Sequence, residues 1–190
     1  MVLEVVKYGD PVLREKGARV EKITPEIRQF IRDMYDTMYD AKGVGLAAQQ
    51  VGRALQITVL DVREATDRPS TLEINGKAVD VAAHMPMALV NPVIRAQGEA
   101  AKGPEGCLSF PEMYAEITRP EFVEVEALDG EGRAVKFRAG GLLSRAVQHE
   151  VDHLNGILFI DRMTSDTRQE LKPDLEALQA ATKKRLRKQK

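Results

Sequence analysis

The most constraining stretch of this 190-residue chain runs from about Leu142 to Asn155, where apolar and polar residues recur at helical spacing. At about 100° per residue, Leu143, Val147, Val151 and Leu154 form one stripe. Leu142, Ala146, His149, Glu150 and His153 form the neighbouring one, and Gly156 stands where a left-handed C-terminal cap needs a residue without Cβ. The first stripe is a complete core face. The second is therefore free for chemistry, and it carries two of the three histidines in the chain.

Those residues form the pentad His149-Glu150-Val151-Asp152-His153, an HExxH pattern whose imidazoles at i and i+4 leave one helix face close enough to share a metal ion. Gln148 and Asp152 are candidates to orient them. A catalytic metal site normally has three protein ligands and one open position. Continuation as HExxHxxGxxH fails, because Gly156 fits but Phe159 replaces the third histidine. Glu170 or Glu176 would serve a peptidase using a distant glutamate, although Pro173 interrupts the segment that carries them. The lone cysteine, Cys107, lies in Glu105-Gly106-Cys107-Leu108-Ser109 and offers a Cys-His-His set instead.

A third segment, Gly43-Val44-Gly45-Leu46-Ala47-Ala48-Gln49-Gln50, has glycines for close backbone approach and a glutamine amide able to donate to a developing oxyanion. It lacks the third glycine of a dinucleotide fingerprint and the Gly-Lys-Ser/Thr of a P-loop. The remaining chain reads as α+β. Thr24-Pro25-Glu26 starts a helix whose apolar face is Ile27, Phe30, Ile31, Met34 and Met38, closing near Gly43. Leu55 to Val59 alternates as a strand, and Ala88 to Arg95 is another, with Pro92 suggesting an edge or bulge. Phe122–Leu128, a turn at 129–132 and Ala134–Arg138 read as a hairpin. Residues 63 to 87 read as an exposed connection with His84 in solvent. Pro173 separates Asp166–Lys172 from a final helix at Asp174 to about Arg187.

Composition narrows the class. With 43% hydrophobic residues and no apolar run near the roughly 20 residues of a membrane span, the expectation is a soluble domain without a signal peptide. One cysteine excludes an internal disulfide framework and suits a reducing, cytoplasmic setting. Net charge is −1, yet Lys183, Lys184, Arg185, Arg187, Lys188 and Lys190 crowd into the last eight residues, so an acidic body precedes a basic tail suited to RNA phosphates or an acidic partner.

Taken together and in this order, GVGLAAQQ, EGCLS and QHEVDH resemble the three signature motifs of the peptide deformylases, and the N-terminal GDPVLR, first helix and strand layout extend the likeness over most of residues 1 to 165. The resemblance implies antiparallel and mixed β-sheets packed around a central HExxH helix, with an N-terminal and a C-terminal helix. Residues 1–165 would be one catalytic domain and 166–190 a helical extension with the basic tail. It makes Cys107, His149 and His153 the metal ligands, Glu150 the general acid/base, and Gln50 with the Leu108 N–H the oxyanion donors. Val44, Leu142 and Ala146 would wall the methionine pocket; Gly45 and Glu105 would line the peptide cleft. The implied cation is one divalent ion per chain, Fe²⁺ in the cell with Zn²⁺ or Ni²⁺ also accepted. The implied reaction removes the N-formyl group from N-formylmethionyl nascent peptides as formate: water activated by the metal attacks the formyl carbonyl. The partners are nascent chains and, through the tail, the ribosome; neither DNA nor a membrane is implied. The sequence departs from the family pattern at Lys42, Arg145 and Tyr114, where acidic, apolar and arginine residues respectively are common. A metallopeptidase and a metal- or redox-sensing module are the competing classes.

Overall fold

The computed structural model describes residues 1–188. Four helices and seven strands follow in the order α1 (Pro25–Asp40), β1 (Gly45–Ala47), β2 (Ile57–Leu60), β3 (Ser70–Ile74), β4 (Lys77–Val79), β5 (Met87–Cys107), β6 (Phe110–Leu128), β7 (Ala134–Gly140), α2 (Gly141–Leu154), α3 (Ser165–Glu170) and α4 (Lys172–Lys188). One sheet holds all seven strands in the order β1-β2-β5-β6-β7-β3-β4. Every strand pair is antiparallel, and the mixed component reduces to one isolated parallel bridge between Ala18 and Leu55. Among the described residues, no helix is long and apolar enough to cross a membrane.

Local chemistry sets α1. Thr24 accepts from the Ile27 N–H at 3.3 Å, Pro25 fills the first turn, and Phe30, Ile31, Met34 and Met38 are buried against β1 and β2. The chain then passes through Lys42 at φ 55°, and the Gly43 N–H closes on the Met38 carbonyl at 2.9 Å. That reversal sends the glycine-rich segment under α2. The segment is a short strand followed by a 3₁₀ turn, Ala48–Val51.

The β5–β6 ribbon is the backbone of the sheet. It runs well beyond the expected strands at Ala88–Arg95 and Phe122–Leu128, because Gly98, Gly103, Pro104 and Pro120 mask a strand pattern that cross-strand pairing nevertheless sustains. Register shifts at Val90/Val93, beside Pro92, and at Gln97/Ala100 bend the ribbon. Its far end, where Cys107 pairs with Phe110, comes up against α2.

Residues 63–87 correct one expectation: they are not simply an exposed connection. They contain the β3–β4 hairpin, with Asn75 and Gly76 at φ 51° and 71° in the turn and Leu72 buried at 2% exposure. The Asn-Gly pair between Ile74 and Lys77 was the available hairpin signal. His84 is exposed, its Nδ1 2.9 Å from the Asp80 carbonyl.

α2 lies across the sheet, with Leu143, Val147, Val151 and Leu154 buried in contact with the strands, and Gly156 follows at φ 72°. α3 and α4 divide at Leu171, so Pro173 stands in the first turn of α4, where a proline without an N–H is tolerated, rather than between the two helices. Leu175 of α4 enters the same cluster as Leu13, Phe110 and Phe159, and Thr182 is buried, so this extension packs on the body. The basic run is helical through Lys188; Lys190 lies outside the described residues.

Candidate metal centre and active site

Helical spacing puts His149 and His153 on one face of α2, with ring centroids 5.0 Å apart. The end of the β5–β6 ribbon brings Cys107 to them. The cysteine sulfur lies 3.3 Å from His153 Nε2, and one donor atom from each of Cys107, His149 and His153 falls within 4.8 Å of the others. This is the sole such group of three among the described residues. Glu170 and Glu176 are exposed and take no part in it, which removes the distant-glutamate arrangement.

The imidazoles are held from behind. His149 Nδ1 lies 3.0 Å from Glu105 Oε2, which leaves Nε2 for the Cys107 side. Glu105 is 6% exposed and is satisfied from four directions: Arg119 Nε and Nη2 donate at 2.6 and 3.0 Å, Arg145 Nη1 at 2.9 Å, and His149 completes the set. Arg119 also donates to Asp152 at 2.8 Å, and Asp152 accepts a second guanidinium from Arg162 at 2.6 Å. Glu105 thus lines the cavity as a committed carboxylate, with its oxygens turned to arginines and His149.

Electrostatics follow from this packing. Burial opposes ionisation of Glu105, but the bonds from His149 and Arg119 outweigh it and hold its pKa well below the carboxylate range. Burial also opposes charge on His149, yet the Cys107 sulfur and Glu105 more than compensate and raise that imidazole well above its usual value. His153 is driven well below, by burial and by the positive charge at His149, so it presents a neutral ring. Thiolate and two imidazoles form a donor set that suits borderline-soft divalent metals and leaves a position open. The residues present fit such an ion.

Glu150 stands beside that set at 4% exposure, and burial pushes its carboxyl up to about 7 against the pull of His149. Its Oε2 has no hydrogen-bond partner among the described residues. A Cβ on Gly45 would fall 2.5 Å from Glu150 Oε1, so the glycine in β1 is what lets backbone and carboxylate meet. Across the cavity, Gln50 Oε1 accepts from the Ala47 N–H at 2.9 Å, which turns its Nε2 toward Cys107 Sγ and Ser109 Oγ, each at 3.5 Å. Lys7 Nζ donates to the Leu108 carbonyl at 2.8 Å, fixing the peptide turn after Cys107. These groups line a cavity of about 660 Å³ that also takes in Val44, Leu142 and Ala146.

Sequence reasoning missed Lys7, Arg119 and the inward course of Arg145. Arg119 had a signal: in β6 it follows Met113, Ala115 and Ile117 at alternate positions on the buried face, where a charge demands an acid partner. Lys42 and Tyr114 are exposed at the cavity rim.

An antiparallel sheet cradling an HExxH helix, with a cysteine delivered from a hairpin end and an unpartnered buried glutamate alongside, defines a metallohydrolase of the histidine-pair class. The polypeptide deformylase family model matches residues 2–169. The peptide deformylase of Methylacidiphilum infernorum is 43% identical over 178 residues, covering 94% of this chain and 93% of its own. That of Opitutus terrae is 41% identical over 185 residues, covering 96% of each. Among solved structures, the Synechococcus elongatus peptide deformylase in complex with actinonin aligns with a TM-score of 0.77 at 42% identity, covering 93% of this chain and 85% of that one. The Legionella pneumophila peptide deformylase aligns at 0.79 and 33%, covering 100% and 99%. The chain belongs to the polypeptide deformylase family, metal-dependent hydrolases that remove the N-formyl group from newly made polypeptides.

Proposed function

We propose that Cys107, His149 and His153 hold one divalent ion, Fe²⁺ in the cell with Zn²⁺ or Ni²⁺ also accepted, and that Glu150 is the general acid/base for hydrolysis of N-formylmethionyl nascent peptides to formate. The observation that carries this reading is a buried carboxylate with a free oxygen on the same helix as both imidazoles. When bound, the ion acidifies water and polarises the formyl oxygen. Glu150 takes a proton from the attacking water and returns it to the leaving amine, for which a carboxyl raised by burial is well matched. Gln50 Nε2, oriented by its bond from Ala47, and the Leu108 N–H donate to the oxyanion. Val44, Leu142 and Ala146 wall the methionine side chain, and Gly45 and Glu105 border the peptide cleft. Residues 1–165 serve as the catalytic unit in the cytoplasm, and 166–190 as an extension whose basic tail meets the ribosome. Deletion of residues 183–190 should then reduce cosedimentation with ribosomes at low salt; unchanged pelleting removes the tail's role.

The reading is tested by formate release from a formyl-Met peptide together with metal analysis after anaerobic purification. Cys107→Ser should retain markedly less metal and lose activity in proportion, because the hydroxyl is a poor ligand where a thiolate was. Equal metal content in the variant and the parent removes Cys107 from the ligand set. Gly45→Ala should lower kcat/KM by on the order of 10²-fold, since its methyl would crowd Glu150 Oε1 at 2.5 Å and a displacement of about 1 Å suffices for that loss. Unimpaired turnover would show that Glu150 need not occupy its present place.

A further inference from the structure

Arg145 sits on α2 between Leu142 and His149 and is turned inward rather than to solvent, its side chain only 12% exposed. Three hydrogen bonds pin the guanidinium: Nη1 donates to Glu105 Oε1 at 2.9 Å and to the Ile117 carbonyl at 2.8 Å, and Nη2 donates to the Ala101 carbonyl at 2.9 Å. Gly103 closes on its face, since a Cβ there would lie 2.9 Å from Nη2 and 3.0 Å from Cζ. The side chain has a cavity on either hand. One is the active-site cavity of about 660 Å³; the other, of about 400 Å³, reaches Lys102, Arg119 and Phe122. The two share four lining residues, Arg68, Pro104, Leu142 and Arg145. Of these, Arg145 is the long side chain bound at three points to both strands of the ribbon and to Glu105. Arg68 holds by a single bond to the Pro104 carbonyl at 3.2 Å in an exposed setting.

We propose that Arg145 determines substrate specificity, as a pinned partition that ends the pocket for the first side chain and denies it the adjoining 400 Å³ cavity. This rests on the proposed function, in which Leu142 and Ala146, one helix face with Arg145, wall that side chain. On this reading, an unbranched side chain of methionine's length ends before the partition. A longer one meets a guanidinium that cannot swing aside without breaking three hydrogen bonds and stranding two carbonyls and part of a buried carboxylate.

The test compares kcat/KM for a formyl-methionyl tripeptide and the matched formyl-homophenylalanyl tripeptide, using the metal-loaded enzyme. Arg145→Ala should shift the methionine-to-homophenylalanine ratio by about tenfold or more toward the longer substrate, as differences of a few methylene groups in a pocket allow, and the shift should lie mainly in KM. Gly103 lines the 400 Å³ cavity and not the active-site cavity, so Gly103→Ala, which keeps every hydrogen-bonding group, should press the guanidinium toward the first side chain and shift the ratio the opposite way, toward methionine; the outcome therefore does not hinge on Arg145→Ala folding. A ratio unchanged in both variants, with formyl-Met still hydrolysed by the parent enzyme, overturns the partition alone. Failure of the parent to release formate from formyl-Met peptides would instead overturn the proposed function and this inference with it.

Discussion

Glu150→Gln is expected to lower kcat by about 10²–10⁴-fold, the usual worth of a positioned general acid/base, while the protein keeps its metal. The substitution preserves volume and leaves Cys107, His149 and His153 untouched. What it removes is the ability to take a proton and give it back. The parent carboxylate has the means to do both: burial lifts it to about 7, and its Oε2 is spared from internal hydrogen bonds. An amide in that position has its own N–H to place in a pocket with no acceptor built for it, so some loss of stability accompanies the loss of rate. Formate release and metal content measured on the same preparation separate the effects. Turnover close to the parent's would mean that the proton moves through another group.

Arg119→Met should cost about 3–5 kcal/mol, the range for breaking a buried ion pair from one side, which for a chain of this length lowers Tm by on the order of 10 °C. Arg119 is 3% exposed and serves two acids, Glu105 and Asp152. Arg145 and Arg162 stay behind as partial compensation, which argues for the lower end of the range. The pH dependence has a definite sign. A carboxylate such as Glu105, whose folded pKa is depressed, adds stability that is full above its unfolded value near 4.3 and is lost as the solution is acidified. Removing Arg119 takes away one of the groups that depress it, so acid unfolding of the variant should begin at higher pH. Urea midpoints for both proteins at neutral and mildly acidic pH check this. Midpoints that coincide throughout would show the pair to be energetically neutral.

The two histidines and Glu150 were legible because a helix converts spacing into direction: positions 149, 150 and 153 share a stripe whatever surrounds them, and the buried stripe beside them is the expected one. The meeting of Cys107 with that stripe was not legible from spacing. It depends on a ribbon of two long strands whose glycines and prolines hide its length, and on register set by bulges that no local pattern announces. The β3–β4 hairpin was legible in Asn75-Gly76 and was overlooked because its flanking strands are short and largely polar. The clamp on Glu105 lay further out of reach, since Arg119, Arg145 and His149 come from two elements and each looks ordinary in its own segment.

The end of the β5–β6 ribbon carries one residue of the proposed ligand set and α2 carries two, with more than forty residues of chain between them. Neither half can capture a cation tightly alone, so the binding pocket comes into being only when the sheet has closed over the helix. Uptake of the ion during refolding would therefore report the joining of ribbon and helix, a non-local event in this topology.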